Sequence, residues 1–341
     1  MADRFQGDWE GYLTAIERQD DVIAIGVTDY MSITNYSRMR LEKTSGRLAN
    51  IAMLIPNIEF RATPETIKGR AINLHILVDP TDADHERHIL QALGRLTFTY
   101  NRRPFACIPD ELMALGRAHD GSITDDGAAL RHGIGQFKVP FQAIEEWYRN
   151  EHWLAHNSLV AVANSGADGV SGLPLTDGFG AMREEIIRFS RMIFSGNPKD
   201  RDFYLGLDKS AEAELKKVGG IKPCVHGSDA HELGRLFKPD LDRFCWIKAD
   251  PTFEGLRQVL FEPSDRVYIG AAPPDMHDHS RVIDSVTIAD PSGWFGSQTL
   301  PLNPGIVAVI GQKGSGKSAL AELISAAAGS SAPAKDASFL S

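Results

Sequence analysis

The chain has 341 residues, is 43% hydrophobic and 24% charged, and carries a formal net charge of −9. That length supports a buried core and about two domains, and the acidic balance argues against a generally basic surface that coats nucleic acid. Three scattered cysteines (Cys107, Cys224, Cys245) suggest neither a disulfide framework nor a zinc ribbon. No apolar run reaches the roughly eighteen residues of a membrane span, and an acidic start with Asp3, Asp8, Glu10, Asp20 and Asp21 is unlike a secretory signal, so the cytoplasm is the expected location.

From the N-terminus, Trp9–Arg18 reads as a helix and Val22–Val27 as a strand. A basic cluster follows, Arg38, Arg40, Lys43 and Arg47; it offers phosphate contacts, but Glu42 lies among the four, and a solvated helix face is the simpler account. Strands are expected over Ile51–Pro56, Ala71–Val78 and Leu159–Ala163, and a helix over Met182–Ile193. Strands alternating with helices are the signature of an α/β fold. His152 and His156, four apart beside Trp147, Tyr148 and Trp153, share a helix face either as metal ligands or as part of an aromatic-rich packed helix.

Val225-His226-Gly-Ser-Asp229-Ala-His231 follows a probable strand. Alternate residues of an extended segment share a face, so Asp229 and His231 point the same way and suit one cation; a structural hydrogen-bonded pair is the alternative. His226 reads as structural. Gly270-Ala-Ala-Pro-Pro-Asp-Met-His-Asp-His-Ser280 has linker composition, and its His277 and His279 read as solvated rather than as ligands. The expected boundaries are therefore a first domain over 1–272, a linker over 273–280 and a second domain over 281–341.

Within the second domain, 281–302 reads as an antiparallel strand pair and Ile306–Ile310, a β-branched run, as a buried parallel strand. Gly311, Gln312, Lys313, Gly314, Ser315, Gly316, Lys317 and Ser318 then match the phosphate-loop pattern G-x-x-x-x-G-K-[ST] between a strand and a helix that starts at Lys317 and stops near Gly329. Such a loop turns backbone N–H groups onto the phosphates of ATP, places Lys317 at the β- and γ-phosphates, and gives Mg²⁺ the Ser318 hydroxyl. An acidic Mg²⁺-holding residue on a later strand is also needed for hydrolysis. The short polar tail after Gly329 does not supply it, so the chain is expected to stop within this domain and to bind nucleotide weakly.

Leu300-Pro-Leu-Asn-Pro-Gly-Ile-Val-Ala-Val-Ile-Gly-Gln-Lys-Gly-Ser-Gly-Lys-Ser-Ala-Leu320 resembles the start of ATPase heads of the ABC and SMC-like class, which implies a homodimer that sandwiches nucleotide. Ile25-Gly-Val-Thr-Asp-Tyr30, Leu54-Ile-Pro-Asn-Ile-Glu59, Asn73-Leu-His75 and Gly227-Ser-Asp-Ala-His231 resemble, in order, the strand ends of PHP phosphoesterases. That resemblance implies a distorted β/α barrel with a cluster of Mn²⁺, Fe²⁺ or Zn²⁺, metal positions at Glu59, His75, Asp229 and His231, and the phosphoesterase chemistry at Asp229 and His231. Three departures stand out: no His-x-His strand precedes Trp9, Tyr30 stands where the family has histidine, and Asn164-Ser165 replaces another. The run from Ser195 through Arg257 into the phosphate loop resembles PHP–ATPase fusions of the TrlF type. In the intact parent this implies a hydrolase, an ATPase plus a metal-dependent phosphoesterase, acting on nucleic acid in DNA repair or phage defence; the alternative is a catalytically dead scaffold or sensor that regulates the ATPase.

Overall fold

The computed structural model describes residues 7–174, 179–228, 230–274, 279–290 and 293–329. The chain divides into two compact units, Met1–Pro273 and Pro274–Ser341.

In the first unit the strands are β1 Ala24–Tyr30, β2 Met53–Glu65, β3 Ala71–Val78, β4 Thr97–Tyr100, β5 Arg103–Ala106, β6 Ser158–Ala163, β7 Met192–Phe194, β8 Cys224–Val225, β9 Phe244–Ile247 and β10 Val267–Gly270. Six of them form one mixed sheet in the order β1-β2-β3-β6-β7-β8. β3 runs antiparallel to β2 and β6, while β1 with β2, β6 with β7, and β7 with β8 pair in parallel. The fold of this unit is mixed α/β.

Strand parity separates two layers. Val27, Leu54, Ile58, Phe60, Leu74, Ile76, Val160, Val162 and Ile193 face the larger core, where the helices pack. Met53, Ile55, Leu77, Leu159, Ala161, Met192 and Val225 share the opposite face with Phe253, Leu256, Val259 and Val267. Fully burying a side chain such as Phe253 contributes about 2 kcal/mol. Apolar cover accounts for only one end of this second face. Towards the C-terminal ends of β1, β2 and β6 the same parity brings up Thr28, Tyr30, Asn57, Glu59, Arg61, Asn73 and His75, at the end of the mixed sheet where its mutually parallel strands finish and where α/β proteins place ligands.

Two elements of this unit depart from the sequence expectation: the strand read over Ile51–Pro56 runs over Met53–Glu65, and one helix ends early. The helix read over Met182–Ile193 spans Phe179–Phe189, and Met192–Phe194 is strand β7, because Ile193 pairs between Val162 and Cys224 at the sheet centre. The basic cluster lies at the surface, with Arg38 and Arg40 exposed, and its side chains also pair locally. Arg38 lies 3.8 Å over the Trp9 ring, Arg40 pairs with Glu86 at 2.9 Å, Lys43 donates to the Leu48 carbonyl, and Arg47 bridges Glu17 and Glu10. The first and last of these contacts clamp helix Trp9–Glu17 to helix Thr34–Thr44 and the turn after it.

Helices Pro109–His119 and Asp126–Gln136 cross in direct backbone contact. A Cβ on Gly133 would lie 1.7 Å from the Leu112 carbonyl oxygen, and one on Gly116 would lie 2.1 Å from that of Ala129. Backbone on both sides leaves no flexible atom to yield, so Gly133→Ala is expected to cost about 3 kcal/mol by forcing the helices apart. Urea unfolding of the variant checks this, with Gly135→Ala, which meets open space, as the silent control.

The second unit holds an antiparallel pair, β11 Ser285–Ile288 with β12 Gln298–Pro301, and helix Lys317–Ala327. Gly329 follows the helix at φ 77°, the left-handed residue that ends it. Residues 306–310 are not the buried parallel strand the sequence suggests. Among the described residues they join no ladder, and Ile306 and Ile310 are 86% and 90% exposed. A parallel strand is buried only when other elements cover both its faces, and the described residues of this unit place none over this run.

Candidate functional site

On β2, Glu59 and Arg61 alternate onto one face, opposite His75 and Asn73 of β3. The Arg61 guanidinium reaches Glu59 at 2.9 Å through Nη2 and Asp168 at 3.4 Å through Nη1, and stacks 5.3 Å from the Tyr30 ring. Asp168 comes from the loop after β6. It accepts from the Ser165 hydroxyl at 2.6 Å and from Asn73 Nδ2 at 3.1 Å, while its backbone carbonyl accepts from the Asn73 N–H at 2.8 Å. The loop is thus tied across β3 onto β2, and two carboxylates share one guanidinium. All these groups are largely buried, and charge-assisted bonds in such a setting are strong because water competes poorly. Arg61 Nε and Asn73 Oδ1 are among the buried atoms there without a hydrogen-bond partner.

His75 lies beside this cluster. Its Nδ1 meets Asn57 Oδ1 at 3.2 Å, and Asn57 Nδ2 donates to Thr28 Oγ1 at 2.7 Å, so the amide orientation makes His75 Nδ1 the donor and leaves the Nε2 lone pair as acceptor. Phe194 packs edge-on against the ring at 4.5 Å. Burial first, and the Arg61 charge second, press the imidazole down to about 4 from its ordinary 6.5. His75 is therefore neutral at pH 7, the form that ligates metals or accepts a proton. The unfolded chain takes up this proton before the folded one, so stability falls as pH drops from about 6.5 to 4 and is flat for this group above that window. The loss attributable to His75 is about 3 kcal/mol. Urea titrations across that range on chelator-treated protein should show it, and His75→Leu should flatten it. Burial likewise raises the Tyr30 hydroxyl above its ordinary 10, so it stays a neutral phenol.

Of the four predicted metal positions, Glu59 and His75 are direct cross-strand partners. His231 is exposed in the loop after β8, and Asp229 lies outside the described residues. Among the described residues no group of three or more His, Cys, Asp or Glu side chains is placed to hold a metal ion. His226 packs its ring against Gly196, where a Cβ would come within 2.8 Å of it. His152 and His156 are exposed, and the helix they sit on is anchored by Leu154 in the core and by Trp153, which donates to Asp82 and stacks on His88. His277 lies outside the described residues. Sequence reading passed over Arg61 and Asp168. Parity alone puts Arg61 on the Glu59 face; Asp168 carries a weaker signal, a Ser-x-x-Asp turn directly after a strand end.

In the second unit the loop 311–318 turns through two left-handed glycines, Gly314 at φ 85° and Gly316 at φ 87°. Gly316 is doubly required, since a Cβ there would also meet the Phe295 ring at 3.3 Å. Lys317 begins the helix, and its Nζ folds back to donate to the Gly311 and Gln312 carbonyls at 2.9 and 2.8 Å. Ser318 sits in the first helical turn beside it. A lysine lying over the loop mouth at a helix N-terminus concentrates positive charge where an anion would sit.

No family model and no curated protein matches the chain. Among solved structures it is similar to a protein from Bifidobacterium adolescentis named as a metal-dependent phosphoesterase, at 12% identity and a TM-score of 0.34, covering 73% of this chain and 90% of that one. No described helix is long and apolar enough to cross a membrane.

The donor set gives a divided answer for a metal at the polar sheet end. His75 Nε2 and the unpartnered Asn73 Oδ1 suit a cation. Glu59 does not, because the Arg61 guanidinium already occupies its carboxylate at 2.9 Å, and a second cation there would meet like charge at close range.

Proposed function

We propose that this chain joins a nucleotide-binding phosphate loop to a PHP-type, phosphoesterase-like unit that senses or scaffolds rather than cleaves, as in fusions of the TrlF type. The second unit's part rests on the turn 311–318, in which left-handed glycines, a helix N-terminus and Lys317 converge as binding of ATP with Mg²⁺ requires. The sensor role rests on the Arg61–Glu59–Asp168 cluster, which fills a metal-type position with a fixed positive charge. Nucleotide-dependent homodimerisation of the ATPase head would then be the event that the first unit reports or restrains. Crosslinking radiolabelled ATP to the full chain tests the binding step. The proposal expects label in the peptide spanning 311–318, competed by unlabelled ATP; label elsewhere, or none on folded protein, contradicts it.

A second reading has its own observation, the neutral His75 with an open Nε2. In it Glu59, His75, Asp229 and His231 hold Mn²⁺, Fe²⁺ or Zn²⁺, and the protein hydrolyses phosphodiesters in nucleic acid, with Asp229 and His231 at the reacting phosphate. The named activity of the Bifidobacterium protein belongs to this reading. Elemental analysis separates the two. One or more metal ions per chain, lost in Asp229→Ala with the fold retained, favours hydrolysis, and a metal-free folded chain favours the sensor.

A further inference from the structure

Helices Pro109–His119 and Asp126–Gln136 meet backbone to backbone at Gly116 and Gly133, and that crossing sets what lies beside it. His119 stands one turn beyond Gly116, and His132 directly precedes Gly133. Their rings meet across the helix pair: His119 Nδ1 lies 2.9 Å from His132 Nε2, with ring centroids 5.0 Å apart. His119 is exposed and His132 half-buried, so water and ions reach the pair. Tyr100 of β4 leans on the His119 ring at 5.8 Å.

Two imidazole nitrogens in contact can share one proton or one metal ion. Nitrogens bound to the same tetrahedral Zn²⁺ stand about 3.3 Å apart, given Zn–N bonds of about 2.05 Å, so the pair needs to open by about 0.4 Å. The charges around it favour a cation. His119 ends its helix, where the macrodipole is negative. Asp120 comes next; its carboxylate accepts from Ser122 Oγ at 2.6 Å and is held below the ordinary carboxylate range, first by its Ser122 bonds and then by His132 and His119. Arg117, a cation on the same helix, is engaged with Asp126 and with the Thr124 carbonyl.

We propose that His119 and His132 form a two-histidine Zn²⁺ site that pins these helices together, with water completing the coordination. Zn²⁺ takes the lone pairs of His119 Nδ1 and His132 Nε2. The ring that donated the bridging hydrogen carries it on its other nitrogen, so two neutral rings lose no proton. Imidazole suits Zn²⁺ and holds Mn²⁺ far more weakly. The site shares no residue with the polar sheet end and depends on neither reading of it.

Carbethoxylation of the full chain by diethyl pyrocarbonate, read histidine by histidine by mass spectrometry, tests this. Zn²⁺ at about ten times its Kd should slow modification of both His119 and His132 about tenfold. Mn²⁺ at the same concentration should slow neither. His132→Ala should raise the Zn²⁺ concentration that protects His119 at least about tenfold, and His119→Ala should do the same for His132. Neither side chain belongs to the core, and circular dichroism confirms the fold of each variant. The proposal is overturned if Zn²⁺ leaves either histidine as reactive as before, or if one stays equally protected after its partner is removed. Because each histidine is read separately, Zn²⁺ bound elsewhere on the chain does not mimic the result.

Discussion

Arg61→Ala should lower the stability of the chain by about 3 to 5 kcal/mol, because it removes the guanidinium that pairs with both Glu59 and Asp168 in a largely buried cluster. The arginine also ties three elements: it stands on β2, pairs with a loop that follows β6, and covers the ring of Tyr30 on β1. Part of the loss is therefore packing of its stem. The electrostatic share can be isolated. Arg61→Met combined with Glu59→Gln and Asp168→Asn removes all three charges together and should cost clearly less than Arg61→Ala alone, as whole-cluster neutralisation does in buried ion networks. Urea unfolding in chelator decides it, and equal losses for the two would show that the charges do not depend on one another.

Lys317→Ala should weaken ATP binding by roughly a hundredfold, about 3 kcal/mol, if the loop holds a triphosphate. With no phosphate in reach, the Lys317 ammonium spends its hydrogen bonds on the Gly311 and Gln312 carbonyls, and those can be exchanged for phosphate oxygens without moving the helix. The substitution should barely change folding, because the lysine packs in no core and the exposed loop has water to replace its contacts. Competition of a fluorescent ATP analogue on wild-type and variant chains measures it. Equal affinities would place the nucleotide somewhere other than this loop.

Much of the first unit was legible from period-2 patterning. Ala71–Val78 carries apolar residues on both faces and a clear turn at each end, and it forms as read. β2 was read over Ile51–Pro56, and proline lacks an N–H for a ladder. It runs on to Glu65 because β3 pairing begins only at Asn57, so on that side the ring removes no ladder bond. β7 was hidden inside a helical pattern: Met192–Phe194 is three residues long and apolar, which periodicity cannot distinguish from a helix end. Ile306–Ile310 has the opposite history, a strong β pattern with nothing beside it among the described residues.

The site divides along similar lines. Glu59 and His75 were named from motif order, and register places them face to face. What they do was not legible, because it depends on Arg61, a neighbour by parity, and on Asp168, more than a hundred residues away and joined to Arg61 only by the fold. Contacts of that separation leave no local trace in one sequence. The phosphate loop is the contrary case, a short contiguous turn whose glycines, lysine and helix start are all specified locally.

The most direct measurement is isothermal titration calorimetry of MgATP into the full wild-type chain, with circular dichroism to confirm the fold. Saturable heat with one nucleotide per chain, reduced in Lys317→Ala, is the predicted result; a folded wild-type chain that gives no heat of binding at millimolar MgATP contradicts the account.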